Sequence, residues 1–124
     1  MLTIADATLA RTSAFKNLAA SAHHWQPLTV CPPSELSDWT LHQKHTGYSA
    51  IALQPTPQAI PLPDFQFPKQ ALLILGRELT GIPPEIQILC DQTVVIPQAG
   101  LVESLNVQTA AAIAIYEYAR QHRL

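Results

Sequence analysis

Strands that alternate with helices along the chain predict an α/β protein, with a mainly parallel sheet flanked by helices. Three observations carry this expectation. Residues 71–75 (ALLIL) and 93–96 (TVVI) are short, continuous apolar runs, as expected of strands buried on both faces. Segments with apolar residues at helical spacing lie among the strands. Each of the two apolar runs leads into a polar, glycine-bearing loop.

In chain order, residues 2–5 form a short apolar run that reads as a strand with no element before it. Residues 12–25 carry Phe15, Leu18, Ala19 and Ala22 at helical spacing and predict an amphipathic helix. A second short strand is expected over 28–31, stopped by Pro32-Pro33. Ser34 is placed to N-cap a helix that carries Leu36, Trp39 and Leu41 and ends near Gly47. Residues 48–53 (YSAIAL) have the apolar, β-friendly character of a strand.

Residues 54–68 contain Pro55, Pro57, Pro61, Pro63 and Pro68. No regular helix or central strand survives that density, so the stretch reads as an extended connector within one domain. After the ALLIL strand, Gly81-Ile82-Pro83-Pro84 leads into a short helix through Leu89, with proline tolerated in the first turn. A final helix is expected over 104–120. Val107, Ala110, Ala111, Ala114, Ile115 and Tyr118 fall on one of its faces, and the alanines permit close packing on a sheet.

Composition narrows the class. At 124 residues the chain suits one domain, 1–124, near the small end for a complete α/β enzyme. With 48% apolar and 13% charged residues it folds rather than staying disordered, and its surface is expected to carry apolar patches that favour an oligomer. The net charge of −2 argues against strong autonomous RNA binding, because phosphate contacts dominate such affinity. Cys31 and Cys90 form no CxxC pair and read as free thiols in a reducing cytosol. No run reaches the roughly 18 apolar residues of a bilayer span, and the N-terminus lacks a secretory apolar stretch. A cytoplasmic protein without membrane contact is the expectation.

Candidate chemistry gathers at strand ends. Leu75-Gly76-Arg77-Glu78 follows the ALLIL strand, where a glycine lets main chain approach a ligand. By itself an LG turn is more often plain structure. It is neither a GxGxxG fingerprint nor a P-loop. Pro97-Gln98-Ala99-Gly100 follows TVVI, and Ser104-Leu105-Asn106-Val107 opens the last helix. Ser104 serves equally well as an N-cap, whereas Asn106 offers both a donor and an acceptor where helix preference is poor. Three such loops can converge on one pocket.

Other polar groups read as bland. His42 and His45 stand at i, i+3 but have no third ligand nearby, so no metal site is expected, and His23-His24 cannot face one way on a helix. Asp91 and Glu103 are ordinary loop carboxylates, and Tyr116 and Tyr118 suit packing better than base stacking.

Two segments are specific enough to name a family. Residues 75–82 (LGRELTGI) fit the form LGxExxGI, and residues 96–113 fit IPxxGxxxSLNVxxAxAI. Both resemble motifs of the SpoU (TrmH-like) branch of the SPOUT RNA methyltransferases. Trp25-Gln26-Pro27-Leu28, Gly47-Tyr48 and Ala52-Leu53-Gln54-Pro55-Thr56 look like the tRNA guanosine ribose methyltransferase subgroup. The resemblance implies a SPOUT fold with a C-terminal deep trefoil knot, a topology that pattern alone does not give. It further implies S-adenosyl-L-methionine held in the knot largely by main-chain groups. On matching positions, Leu75, Gly76, Ile96 and Leu105 would contact this cofactor, with Leu53 and Gln54 added from the loop after YSAIAL. Glu78, Ser104 and Asn106 would shape or support the site.

The first family motif is the departure. Members carry an arginine, followed by Thr or Cys, that helps activate the target ribose hydroxyl, an otherwise poor nucleophile. Arg11-Thr12 offers such a pair superficially but lies before the helix that follows the second strand in members. The expectation is that the chain begins after the family's first strand and helix, leaving the catalytic arginine unassigned. An S-adenosylmethionine-dependent RNA ribose 2′-O-methyltransferase, on tRNA ahead of rRNA and working as a homodimer, is the leading reading. The alternative is a truncated cofactor-binding and dimerisation module, or one half of a split enzyme completed by a separate polypeptide. An unrelated α/β interaction domain would require the motif matches to be accidental.

Overall fold

The computed structural model describes residues 2–4, 28–76, 81–98 and 107–123. The chain falls into two compact units, Met1–Trp39 and Thr40–Leu124. In the first, β1 (Leu2–Ile4) and β2 (Leu28–Val30) pair in parallel, Leu2 opposite Leu28 and Ile4 opposite Val30. Parallel pairing requires a long crossover, and residues 5–27 supply its length. The helix expected over 12–25 lies outside the described residues.

A 3₁₀ turn at Pro33–Glu35 leads into helix α1 (Leu36–His45). Ser34 sits inside that turn rather than capping the helix, because Pro33 is already in the fixed-φ geometry of the first turned position. Leu41 is exposed, so the apolar stripe of α1 is narrower than its sequence suggests. The helix stops where Gly47 takes φ +107°, a conformation that favours glycine, with the Gly47 N–H donating to the Lys44 carbonyl at 3.1 Å.

The second unit is built on a four-stranded, all-parallel sheet. Its strands are β3 (Ser49–Leu53), β4 (Ile60–Pro61), β5 (Ala71–Leu75) and β6 (Gln92–Val95), in the spatial order β4-β6-β3-β5. The inner strands are β6 and β3, and in β3 Ala50, Ile51, Ala52 and Leu53 are all buried. β5, expected to be buried on both faces, is an outer strand of this sheet and is half-buried along its length. A continuous apolar run marks a strand but not its place in the order. In β6, Val94 is fully buried, in keeping with the TVVI reading.

The connector between β3 and β5 fits the limits its prolines set. It contributes only a two-residue outer strand, β4, and a 3₁₀ turn at Leu62–Asp64. Its apolar residues nevertheless enter the core: Leu62, Phe65 and Phe67 are buried together with Ile51, Leu53, Val94 and Ala114. The Phe65 and Phe67 rings meet edge to face at 4.9 Å, and Phe67 meets Tyr118 in the same way at 5.8 Å.

Short helix α2 (Pro84–Gln87) precedes β6 and buries Ile86. Helix α3 (Val107–His122) ends the chain's regular structure. Ala114 is fully buried against the sheet, with Ala110 and Tyr118 packed beside it. Ile115 departs from the expected face and is 59% exposed, as Tyr116 is at 70%. Alanine lets α3 lie close to the sheet, and the covered stripe is correspondingly narrow. Among the described residues no helix is long and apolar enough to cross a membrane.

Asp91 fastens the amino ends of β3 and β6. Its N–H donates to the Ala50 carbonyl at 2.7 Å, and the Ala50 N–H donates to Asp91 Oδ2 at 2.8 Å. Lys44 Nζ lies 3.1 Å from Asp91 Oδ1 and donates to the Leu89 carbonyl at 2.7 Å. Burial raises the Asp91 pKa, but the Ala50 N–H and the Lys44 ammonium together bring it below the usual value. The ionised group therefore stabilises the fold above the ordinary carboxylate range, and this contribution is lost as pH falls through the lowered folded value. Asp91→Asn is expected to lower the thermal midpoint at neutral pH, with the gap to wild type closing below about pH 4. Thermal unfolding across that range checks it; a gap independent of pH would refute the assignment.

Candidate functional site

Because every pairing in the second unit is parallel, β3, β5 and β6 deliver their carboxyl ends to the same side of the sheet. Leu53 stands level with Leu75 on one side and with Val94 on the other. Gln54, Gly76 and Ile96 thus leave the sheet as neighbours, and five of the residues expected in a site are brought together: Leu53, Gln54, Leu75, Gly76 and Ile96. The Gln54 N–H donates to the Val94 carbonyl at 3.1 Å, which fixes the start of the loop after β3 against β6.

The loop after β5 returns onto its own beginning. A Cβ at Gly76 would lie 2.2 Å from the Gly81 carbonyl carbon and 2.4 Å from the Ile82 nitrogen, so two stretches of main chain touch with no side chain between them. Ile82, only 4% exposed, anchors the return. Gly81 adopts φ +70°, and a Cβ there would stand 3.7 Å from Gln54 Oε1. The Gln54 carboxamide therefore reaches toward the loop that starts at Gly76. Gly81 was legible only as the closing glycine of a motif; its contact with Gly76 needs the fold.

Ile96 packs on the core from the end of β6. With Pro97 it lines an open groove of about 310 Å³, together with Leu62 and Pro63 of the connector and Ile113, Tyr116 and Glu117 of α3. Glu117 accepts from the Arg120 guanidinium, which holds its carboxyl below the usual range. The five assembled site residues carry no charge. A ligand at these strand ends would meet apolar walls, one carboxamide and main-chain groups, an arrangement suited to holding a neutral or zwitterionic molecule by shape and hydrogen bonds.

Glu78, Ser104, Leu105 and Asn106, also expected in the site, lie outside the described residues, as do Arg11 and Glu103. Asp91 is at the opposite, amino end of the sheet and serves the fold. His42 and His45 are exposed on α1. Tyr118 packs as expected, its hydroxyl donating to the Lys69 carbonyl, whereas Tyr116 lines the groove. Cys31 and Cys90 are free thiols.

Comparison with known proteins bears on what this geometry serves. The profile of the SpoU rRNA Methylase family matches residues 2–116. The tRNA (guanosine(18)-2′-O)-methyltransferase TARBP1 of Mus musculus is 40% identical over 110 residues, covering 89% of this chain and 7% of that protein. Among solved structures, the TrmH/SpoU tRNA modifying enzyme of A. aeolicus superposes with a TM-score of 0.80 at 26% identity, over 98% of this chain and 62% of that one. The SpoU methyltransferase AviRb of Streptomyces viridochromogenes, in complex with the cofactor AdoMet, gives a TM-score of 0.66 at 33% identity, over 78% of this chain and 37% of that one. The chain thus spans less than two thirds of each of these relatives.

The two glycines predict different failures. Gly76→Ala drives a methyl into main chain and is expected to cost about 1–3 kcal/mol by overpacking. Gly81→Ala has room for the methyl but strains a positive φ, at a cost of about 1 kcal/mol. Urea unfolding of the two variants tests the order; an equal or reversed ranking would contradict the Gly76–Gly81 contact.

Proposed function

The chain belongs to the SpoU methylase family, and from that premise we propose that it is an S-adenosylmethionine-dependent RNA ribose 2′-O-methyltransferase, acting on tRNA ahead of rRNA. The observation that carries this reading is the assembly of Leu53-Gln54, Leu75-Gly76 and Ile96 on one side of a parallel sheet, within a chain that the family profile covers from residue 2 to 116.

The residues present suit the cofactor. The Gly76–Gly81 contact holds main chain at the sheet's end where a side chain would intrude, and the half-buried Leu75 and Ile96 supply apolar surface over the buried Leu53. When bound, S-adenosylmethionine supplies an electrophilic methyl group on sulfur. The chain's own part is to bind and orient: Gln54 offers one donor and one acceptor group, and the apolar strand ends exclude water. Through their places in the two motifs, Leu105 is assigned a cofactor contact, and Ser104, Asn106 and Glu78 supporting ones. Positioning an alcohol against a methyl donor is itself a large part of catalysis. Activation of the ribose hydroxyl is assigned to a group beyond the assembled five, with Arg11 the motif-arginine candidate within this chain.

The reading extends to a C-terminal trefoil knot, a homodimer and a cytoplasmic location. Ile113, Ile115 and Tyr116, exposed on α3, support association with a second copy. The net charge of −2 supports an RNA grip supplied mainly by other parts of the assembly, whether a partner protomer or a separate polypeptide. The relative and the two solved structures compared above are all named as methyltransferases or modifying enzymes, which favours the enzyme over an inactive module.

Calorimetric titration with S-adenosylmethionine, followed by transfer of labelled methyl to bulk tRNA, tests the proposal. Asn106→Ala is expected to weaken cofactor binding about two- to tenfold, the equivalent of one buried hydrogen bond, while Arg11→Ala leaves it unchanged. No heat of binding in the wild type would overturn the cofactor assignment. Binding without methyl incorporation would overturn the enzymatic one and leave the binding module.

A further inference from the structure

The connector from β3 to β5 begins at the candidate site and is held at its far end by side chains of α3, Gln121 foremost. After the turn at Leu62–Asp64 it runs extended through Phe65 and Phe67, where Pro63 and Pro68 limit its use of backbone donors. Gln121 in the last turn of α3 takes the place of a neighbouring strand. Its Nε2 donates to the Phe65 carbonyl at 2.7 Å, and the Phe67 N–H donates to its Oε1 at 2.7 Å. A carboxamide has the donor and acceptor of a peptide group, so it pairs with an extended backbone as a strand would. His122 Nε2 sits 3.1 Å from the Phe67 carbonyl, and the Tyr118 hydroxyl donates to the Lys69 carbonyl.

These bonds join the two structures that line the groove with Ile96 and Pro97. Leu62 and Pro63 lie just before the clasped Phe65–Phe67 segment, and Ile113, Tyr116 and Glu117 lie on the helix that carries Gln121. Gln121 Nε2 also lies 3.2 Å from Glu117 Oε1, so one carboxamide touches both structures. The clasp, together with the Tyr118 and His122 bonds and the Phe67–Tyr118 ring contact, ties connector to helix on the groove beside Ile96. It also fixes the helix whose first residue, Val107, follows the SLN triplet in the chain.

We propose that Gln121 is a positioning residue for the S-adenosylmethionine site, acting through the connector that starts at Gln54 and through α3. The proposal rests on the cofactor reading given above. By linkage, if the clasp favours the binding-competent arrangement, cofactor must favour the closed clasp by the same factor.

The test therefore has two arms. Gln121→Leu substitutes an apolar side chain of similar size and removes both bonds to the connector and the one to Glu117; calorimetry well below its thermal midpoint is expected to show about fivefold weaker S-adenosylmethionine binding, the lower end of usual coupling. Gln121→Glu keeps only the acceptor for the Phe67 N–H and is expected to fall between the two. In the wild type, saturating cofactor is expected to slow hydrogen exchange of the Phe67 amide by about the same fivefold factor. This second arm holds even where Gln121→Leu fails to fold. A variant that is less heat-stable yet binds cofactor like wild type would reduce Gln121 to a structural residue and overturn the proposal, as would Phe67 exchange indifferent to cofactor. A wild type that does not bind S-adenosylmethionine would overturn the cofactor reading along with it.

Discussion

Parallel pairing of β3 with both β5 and β6 is the constraint on which the rest of the second unit depends. It forces each connection to cross the sheet and return, and it sends the carboxyl ends to one side. Residues far apart in sequence, Gln54, Gly76 and Ile96, become neighbours without any direct bond between their side chains. An antiparallel partner in place of β5 would have moved Gly76 to the other end. The site is thus a consequence of strand direction before it is a consequence of any side chain.

The two ends of the sheet are treated differently. At the amino ends, Asp91 and Lys44 tie β3, β6 and α1 together with charge-assisted bonds. At the carboxyl ends the contacts are main chain on main chain, at Gly76 and Gly81, and a carboxamide, at Gln54. Among the five assembled site residues there is no charge, whereas at the amino ends a charged pair holds the fold. The aromatic group of Phe65, Phe67 and Tyr118 then packs the long connector under α3, so the segment that leaves the site returns to the core at a defined place.

Much of this was legible in the sequence, for identifiable reasons. Short apolar runs located the strands, and the polar, glycine-bearing loops after two of them marked where a site could lie; Gln54, Gly76 and Ile96 were singled out by the family resemblance. What the sequence left open was order and depth. ALLIL looks more buried than SAIAL, yet the small Ala50 and Ala52 mark an inner strand, because small side chains suit the position where elements crowd from both faces. Proline density says what the connector cannot form; it is silent on Phe65 and Phe67, whose burial depends on a helix some fifty residues later. Helical periodicity placed Ala110, Ala114 and Tyr118 correctly but overextended to Ile115, since the width of a covered stripe depends on how closely the helix approaches. Ser34 was misread as a cap because Pro33 had already claimed the turn.

The tie at Gln121 gives α3 a second anchor beyond its packing on the core. From Val107 to His122 it spans 16 residues, about 24 Å of rod at 1.5 Å per residue. Over that length a tilt of about 5° displaces one tip relative to the other by roughly 2 Å, more than the tolerance of a hydrogen bond. Ala114, Ala110 and Tyr118 hold the middle of the rod against the core, and the carboxamide in its final turn adds a hydrogen-bonded limit on its angle.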